Sequence, residues 1–312
     1  MYVTEIIDYI VRLGLKCNFN CLFCNVLNNE QLPEKTLEEV KSEIDKLKKR
    51  GIIVSISGGE PTLFPYLNNL IKYIKQKNFK ANLQTNAVLM SEKMAKSLKA
   101  SGLDMAFINF PSHSKKKYAE LTKSNETNFD LAVKGIQNLI DNNIITTLNI
   151  VITNHNNSDL DDYVKFVHKH FPKINSINFS IIQPYGNAKI NSHIIPDYRE
   201  LRPSLEKAFD VAKELGVVIY NPYCGIPMCT AWGIIPYEKN SEYLAGLEVR
   251  KNKKISPPLR NVIKDKIHPE NCYSCFLKNF CLGIWKEYKK IKGDVVEPPY
   301  RVLRYWPTSK IN

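Results

Sequence analysis

The sequence predicts an α/β fold: a partial (β/α)6 barrel of the TIM type, followed by a small, loop-rich C-terminal module. Two observations support this fold. Short β-branched segments alternate with helical patterns six times before residue 220, and a cysteine-rich segment with weak periodicity follows. A doubly wound open sheet is the alternative architecture for the first part. The predicted domains are therefore 1–220 for the barrel and 221–312 for the module.

The predicted elements follow from local patterns of apolar residues and caps. The strands are expected at 9–15, 52–57, 80–86, 103–110, 146–153, 176–182 and 216–220. The helices are expected at 35–51, 66–77, 91–102, 128–142, 158–170 and 198–216. Ser91 can cap the third helix, and two pairs match the capping-box pattern, Thr36 with Glu39 and Ser158 with Asp161.

Charge and composition limit the classes of partner. The formal net charge of +13 over 312 residues fits an anionic partner in general. Lysines outnumber arginines 36 to 8, however, and bidentate phosphate recognition favours arginine, which argues against a nucleic-acid partner. No apolar run approaches the roughly 18 residues that span a bilayer, and the N-terminus lacks a basic segment before an apolar core. We therefore expect a cytoplasmic protein with no membrane partner.

Three cysteines follow the first predicted strand in the segment CNFNCLFC. Cys17, Cys21 and Cys24 have the spacing C-x3-C-x2-C, and such soft thiolates select iron–sulfur clusters, zinc or copper(I). A structural zinc site normally has four ligands, and no fourth Cys or His lies nearby in the sequence. Three thiolates on a [4Fe–4S] cluster leave one iron open to another ligand. Three unrelated buried cysteines or a zinc knuckle are the alternatives.

This triplet, with an aromatic residue (Phe23) before its last cysteine, resembles the signature of radical S-adenosylmethionine (SAM) enzymes. The resemblance implies that the three thiolates hold a [4Fe–4S] cluster whose open iron binds the methionine moiety of SAM. It also implies that an electron cleaves the sulfonium and that the 5′-deoxyadenosyl radical abstracts a substrate hydrogen. The electron would come from a reductant such as flavodoxin or ferredoxin.

Further motifs follow the later predicted strands. In SGGEPTL, Gly58 and Gly59 allow close approach of the backbone to a ligand, and Glu60 can accept a hydrogen bond from an ammonium group. In the resembled family this stretch contacts the SAM amino group. The resemblance also assigns cofactor contacts to Phe23, to Asn86 near the ribose, to Ser112 (or Ser114) and to Asn149.

A second cysteine group lies near the end of the chain, with the members Cys224, Cys229, Cys272, Cys275 and Cys281. The C-x2-C-x5-C spacing of the last three resembles the SPASM and twitch modules of many radical SAM enzymes. A further cysteine that the SPASM pattern expects is replaced by Trp285. The resemblance thus implies one auxiliary [4Fe–4S] cluster, with Cys229 or Cys224 as its fourth ligand. A structural zinc site is the alternative.

The resemblance implies an enzyme that acts on a ribosomal peptide or a small metabolite. Two other functions stay open at this point. One is a radical SAM enzyme that modifies RNA, which the net charge motivates. The other is a non-catalytic iron–sulfur or zinc protein.

Overall fold

The computed structural model describes residues 7–26, 33–47, 52–220, 225–231, 245, 262–293 and 296. Its main feature is a parallel sheet of seven strands: β1 (Ile7–Arg12), β2 (Ile52–Ser57), β3 (Lys80–Thr85), β4 (Met105–Asn109), β5 (Ile145–Ile152), β6 (Ser176–Ile181) and β7 (Ile219–Tyr220). Within the described residues the order runs from β1 to β7 without reversal, and the two outer strands do not pair. The sheet is therefore a partial barrel, as predicted, and the doubly wound alternative, whose strand order reverses, is excluded.

Helices connect successive strands of the sheet. They are α1 (Leu37–Asp45), α2 (Leu67–Gln76), α3 (Glu92–Ala100), α4 (Lys115–Thr122), α5 (Thr127–Asp141), α6 (Leu160–His170), α7 (Asn187–Ile190) and α8 (Arg202–Glu214). In α2 the buried side chains are Leu67, Leu70, Ile71 and Ile74, the helical spacing of a face that packs on a core. None of the described helices is both long and apolar enough to cross a membrane.

The two faces of the sheet differ in polarity. In β3, Ala81, Leu83 and Thr85 are buried, whereas Asn82 and Gln84 are only half-buried. Polar side chains also bond to each other between neighbouring strands: Asn82 Nδ2 donates to Ser55 Oγ (2.8 Å). Because side chains alternate along a strand, one face packs against the helices and the other presents hydrogen-bonding groups.

The helix caps test the sequence predictions directly. The capping box of Thr36 and Glu39 is present, and Ser91 caps α3 through the backbone N–H of Met94. The predicted box at Ser158 and Asp161 is wrong, because α6 begins after Asp159 without a side-chain cap. The Asp161 carboxylate instead accepts from two lysine ammonium groups, Lys165 and Lys207, at 3.0 Å each.

The described C-terminal residues contain little regular structure. They include two short strands that pair antiparallel, β8 (Lys266–Ile267) and β9 (Ile284–Trp285). They also include two short helices, α9 (Met228–Ala231) and α10 (Lys286–Lys292). Helix α10 packs on the barrel through Tyr288, whose ring stacks on Tyr198 at 3.8 Å between centroids. The Tyr288 hydroxyl donates to the carbonyl of Pro196 (3.1 Å). The last strand of the sheet ends at the predicted boundary, and the division into domains 1–220 and 221–312 stays a prediction.

Candidate active site

The first cysteine loop begins where β1 leaves the sheet. β1 ends at Arg12 rather than at the predicted residue 15, because the chain turns at Gly14, which has a φ of +147°. After this turn, the backbone N–H groups of Leu15 and Lys16 both donate to Glu34 Oε1 at 2.8 Å. A carboxylate from the segment before α1 thus fixes the backbone just ahead of Cys17.

The three thiols of this loop lie close enough to influence one another. Burial raises the pKa of the Cys17 and Cys21 thiols, and the neighbouring Cys24 raises both further. Within the loop, Cys17 Sγ accepts from the Phe19 N–H (3.4 Å), and the Cys24 N–H donates to the carbonyl of Cys21 (3.2 Å). No three His, Cys, Asp or Glu side chains of the described residues are arranged to hold a single metal ion. A set of three thiols fits the donor chemistry of an iron–sulfur cluster.

Gly58 and Gly59 bring the loop after β2 into contact with the cysteine loop. The Gly59 N–H donates to the carbonyl of Gly14 (2.9 Å). A Cβ on Gly59 would lie 2.1 Å from the carbonyl oxygen of Lys16, a distance that no side chain tolerates. The close backbone approach that the structure shows is therefore to residues 14–16, which carry the cysteine loop.

Glu60 is buried, at 4% exposure, and joins the loops after β2 and β3. Its Oε1 accepts from the N–H and hydroxyl of Thr62 (3.1 and 2.7 Å) and from the Thr85 hydroxyl (2.6 Å). Its Oε2 accepts from the Asn86 N–H (2.8 Å). Since a carboxylate has about four acceptor positions and three of these bonds go to Oε1, Oε2 keeps room for another donor.

Asn86 continues this connection back to the cysteines. Its Nδ2 donates to Asn18 Oδ1 (2.7 Å), and its own Oδ1 accepts from the Val88 N–H (3.1 Å). Asn18 directly follows Cys17. Hydrogen bonds therefore connect Gly59, Glu60 and Asn86 to residues 14–18, which carry and begin the cysteine loop, and Gly58 lies against Gly14 beside them.

The other predicted cofactor contacts bond elsewhere. Phe23 is buried in the main core. The Ser112 hydroxyl accepts from the Ser114 N–H (3.1 Å) just before α4. Asn149, on β5, accepts through Oδ1 from Asn178 Nδ2 (2.8 Å) and Ser180 Oγ (2.6 Å), both on β6. Among the described residues, the side-chain hydrogen bonds of Ser112 and Asn149 do not reach the cysteine loop, and the roles of Phe23, Ser112 and Asn149 as cofactor contacts stay predictions.

The structure adds residues that sequence reasoning missed. Asn187 Nδ2, after β6, donates to Asn20 Oδ1 (2.7 Å) and to the carbonyl of Cys21 (3.0 Å). Asn25, next to Cys24, donates to Gln183 in the same region. The sequence signal that could have indicated Asn187 is the polar segment after the strand predicted at 176–182, because active-site residues of a barrel usually follow its strands.

Four described cysteines of the second group, Cys229, Cys272, Cys275 and Cys281, lie within electrostatic range of one another. The pKa of the Cys229 thiol is raised first by burial and then by Cys281, Cys272 and Cys275. Cys272, Cys275 and Cys281 lie on successive turns of the chain. The Cys275 N–H donates to the carbonyl of Cys272 (3.1 Å). Cys281 Sγ accepts from the Gly283 N–H (3.3 Å). Cys224, the alternative fourth ligand, lies outside the described residues.

A partial parallel barrel with a three-cysteine loop after its first strand defines a class of protein. Residues 11–167, half of the chain, match the Radical SAM superfamily. The chain therefore belongs to the radical SAM superfamily and is an enzyme. Membership implies a [4Fe–4S] cluster and SAM as cofactors.

The relatives carry more particular names. The chain is 25% identical over 243 residues to a protein named "Probable GTP 3′,8-cyclase" from Saccharolobus islandicus, with 77% of each chain covered. A protein of the same name from Sulfurisphaera tokodaii is 31% identical over 207 residues, 64% of this chain and 62% of that one. Among solved structures, Streptococcus suis SuiB bound to SAM has a TM-score of 0.65 and 18% identity, covering 94% of this chain and 76% of SuiB. This last similarity supports the fold.

Proposed function

We propose that Cys17, Cys21 and Cys24 hold the SAM-binding [4Fe–4S] cluster of this enzyme. The observation that carries the proposal is the set of hydrogen bonds that fixes their loop to three further strand ends, through Glu60, Asn86 and Asn187. A cluster held by Cys17, Cys21 and Cys24 would supply one electron to SAM. This electron would break the C5′–S bond, so that methionine and the 5′-deoxyadenosyl radical that abstracts a substrate hydrogen atom would result.

The residues around the loop take two roles in this proposal. Gly58 and Gly59 set the distance between the loop after β2 and the cysteines. Glu60 holds the end of β3 and keeps one acceptor position on Oε2 for the SAM ammonium group. The predicted contacts of Phe23, Ser112 and Asn149 with SAM belong to the same proposal, supported by the family resemblance alone.

The second cysteine group holds one auxiliary [4Fe–4S] cluster in this proposal, in a twitch- or SPASM-like module. Cys229, Cys272, Cys275 and Cys281 supply its ligands in this proposal. The influence of the last three thiols on the pKa of Cys229 supports this choice. A structural zinc ion is the alternative occupant of four thiolates. The ratio of iron to zinc in purified protein distinguishes the two.

The substrate of this proposal is a peptide or a small metabolite. One solved structure of similar fold is SuiB bound to its precursor peptide SuiA, and the named sequence relatives are GTP cyclases. The polar face of the sheet, with Asn82 bonded to Ser55 and Asn178 bonded to Asn149, suits a substrate rich in hydrogen-bonding groups. RNA stays the alternative substrate, and its test is salt-dependent binding of tRNA.

The experiment uses anaerobically reconstituted protein, SAM and a strong reductant such as dithionite, with flavodoxin or ferredoxin as the biological donor. The product 5′-deoxyadenosine is measured alone and with GTP, peptides or tRNA added. We expect the parent protein to form 5′-deoxyadenosine and Cys21→Ala to form none. Formation of the parent's amount by Cys21→Ala would refute the cluster assignment.

A further inference from the structure

Residues 185–190, here called the β6 segment, follow β6 and hold the first cysteine loop by its backbone. Asn187 Nδ2 donates to the carbonyl of Cys21 (3.0 Å). The Ala188 N–H donates to the carbonyl of Cys24 (3.4 Å). Two of the three cysteines of the loop are thus bonded, through their own carbonyls, to this one segment.

The β6 segment also contacts the C-terminal part of the chain. The ring of Tyr185 meets the ring of Trp285 edge-on, with 5.9 Å between their centroids. Lys189 Nζ lies 3.0 Å from Glu287 Oε2. Tyr185 is linked to the residues that bond the cysteine loop, because its carbonyl accepts from the Ala188 N–H (3.1 Å).

Trp285 belongs to the strand pair that surrounds Cys281. It ends β9 and pairs with Lys266 of β8, whose ammonium group lies 5.0 Å from the centre of the Trp285 ring. Just before β9, the Gly283 N–H donates to Cys281 Sγ (3.3 Å). Just after β8, His268 Nε2 donates to the carbonyl of Cys281 (2.9 Å). Direct contacts therefore lead from Cys281 through Trp285 to the β6 segment.

We propose that Trp285 positions the first cysteine loop, because its ring holds Tyr185 and with it the β6 segment. Trp285 is 4% exposed, and its Nε1 is one of three buried side-chain polar atoms of the described residues without a hydrogen bond. The ring contact, and not the indole N–H, therefore makes the attachment. Where the SPASM pattern expects a cysteine, this chain has a packing residue.

The first site would then depend on the packing of the second part of the chain. An edge-on aromatic pair stabilises beyond the area that it buries, so its loss loosens the β6 segment. A binding site needs its supporting residues held in place, and the loosened segment would no longer fix the carbonyls of Cys21 and Cys24. This inference rests on the proposed function, in which the loop holds the SAM-binding cluster.

Two substitutions of Trp285 separate the ring contact from the indole N–H. Trp285→Leu keeps a large apolar side chain but removes the aromatic pair, whereas Trp285→Phe keeps an aromatic ring and removes the unpaired N–H. The control is Tyr288→Phe, which removes bonds to the Tyr198 N–H (3.0 Å) and the Pro196 carbonyl (3.1 Å). These bonds also attach the C-terminal part to the barrel, but outside the β6 segment.

The first measurement is hydrogen exchange by mass spectrometry of the peptides that contain Cys24 and Ala188, in the protein as purified and after reconstitution. We expect exchange in Trp285→Leu to be about 2- to 10-fold faster than in the parent, the factor that the loss of one aromatic pair corresponds to. Trp285→Phe should exchange at the parent rate. Tyr288→Phe should melt at a lower temperature and keep the parent rate. Parent rates in Trp285→Leu, or equally faster exchange in Tyr288→Phe, would overturn the inference.

Tyr185→Leu removes the same aromatic pair from the side of the barrel. We expect the same increase in exchange as in Trp285→Leu, and no further increase in the double variant, because the two residues act through one contact. Additive increases in the double variant would show that the two residues act separately and would overturn the inference.

The last measurement is the dissociation constant of SAM, obtained from its effect on the EPR signal of the reduced, reconstituted protein. Trp285→Leu should bind SAM more weakly by a factor similar to that of the exchange rates, and Trp285→Phe and Tyr288→Phe should bind it as the parent does. Parent affinity in Trp285→Leu, in protein that binds iron and cleaves SAM, would contradict this inference alone. A parent protein that binds no iron would overturn the proposed function and, with it, the positioning role.

Discussion

The two cysteine groups are held by different means. The first loop is bonded to the ends of several strands of a large sheet, through Gly59, Asn86 and Asn187. The described cysteines of the second group lie on short turns, next to a small apolar cluster of Met228, Leu277 and Phe280. The sheet can therefore shape the first site before any metal binds.

On the proposed function, the second site would depend more on its metal. The part of this segment that the structure describes has two-residue strands and little regular structure, so ligand bonds would supply a larger share of its stability. On the proposed function, one chain thus combines a site shaped by the sheet before metal binds with a second site ordered by its metal. Substitutions at the two sites are therefore expected to have different effects.

The first prediction compares Cys21→Ala with Cys275→Ala. Cys21→Ala should abolish formation of 5′-deoxyadenosine and leave the melting temperature close to that of the metal-free parent, because the loop keeps its backbone bonds. Cys275→Ala should retain some SAM cleavage but lose product formation or thermal stability. Equal turnover and melting of Cys275→Ala and the parent would remove the case for a C-terminal cluster.

The second prediction concerns Gly59→Ala. The new Cβ would meet the Lys16 carbonyl, so we expect a loss of about 3 kcal/mol in unfolding free energy, together with reduced iron loading. Gly216→Ala is the control, since Gly216 has a φ of +69° but no atom within 4 Å of a new Cβ. Its cost should be about 1 kcal/mol, with normal iron loading. If urea unfolding gave the same loss of unfolding free energy for Gly59→Ala and Gly216→Ala, the contact of Gly59 with the Lys16 carbonyl would be unimportant for stability.

The third prediction separates Cys229 from Cys224. Because Cys281, Cys272 and Cys275 influence the pKa of the Cys229 thiol, we expect Cys229→Ala to lose the iron of the proposed auxiliary site, as Cys275→Ala would. Cys224→Ala should retain it. Iron and sulfide analysis of both variants decides this, and the reverse result would make Cys224 the fourth ligand.

The fourth prediction concerns Glu60→Gln. The two carboxylate oxygens of Glu60 accept hydrogen bonds from four donors. In Glu60→Gln one of these oxygens becomes an amide NH2, which cannot accept, so we expect a loss of about 1–3 kcal/mol in unfolding free energy. The exchange should also weaken SAM binding by removing the negative charge. Isothermal titration of reconstituted protein with SAM measures this, and parent affinity in Glu60→Gln would exclude Glu60 from the SAM site.

The alternation of strands and helices was predictable because each element has its own periodicity. The cysteine triplet and Gly58-Gly59-Glu60 were recognisable because they are continuous in the sequence. Glu34 and Asn187 were not, since their contacts with the first cysteine loop depend on how separate segments fold together. The box at Ser158 failed because Asp161 binds two lysines that lie on different helices.

The proposed function requires two iron–sulfur clusters of different roles in one chain. The most direct test is to reconstitute the protein without oxygen and to count iron, acid-labile sulfide and zinc per chain. We predict about eight irons and eight sulfides, which corresponds to one [4Fe–4S] cluster for each cysteine group. About four irons with one zinc would make the second group a structural zinc site. Zinc without iron would refute both cluster assignments.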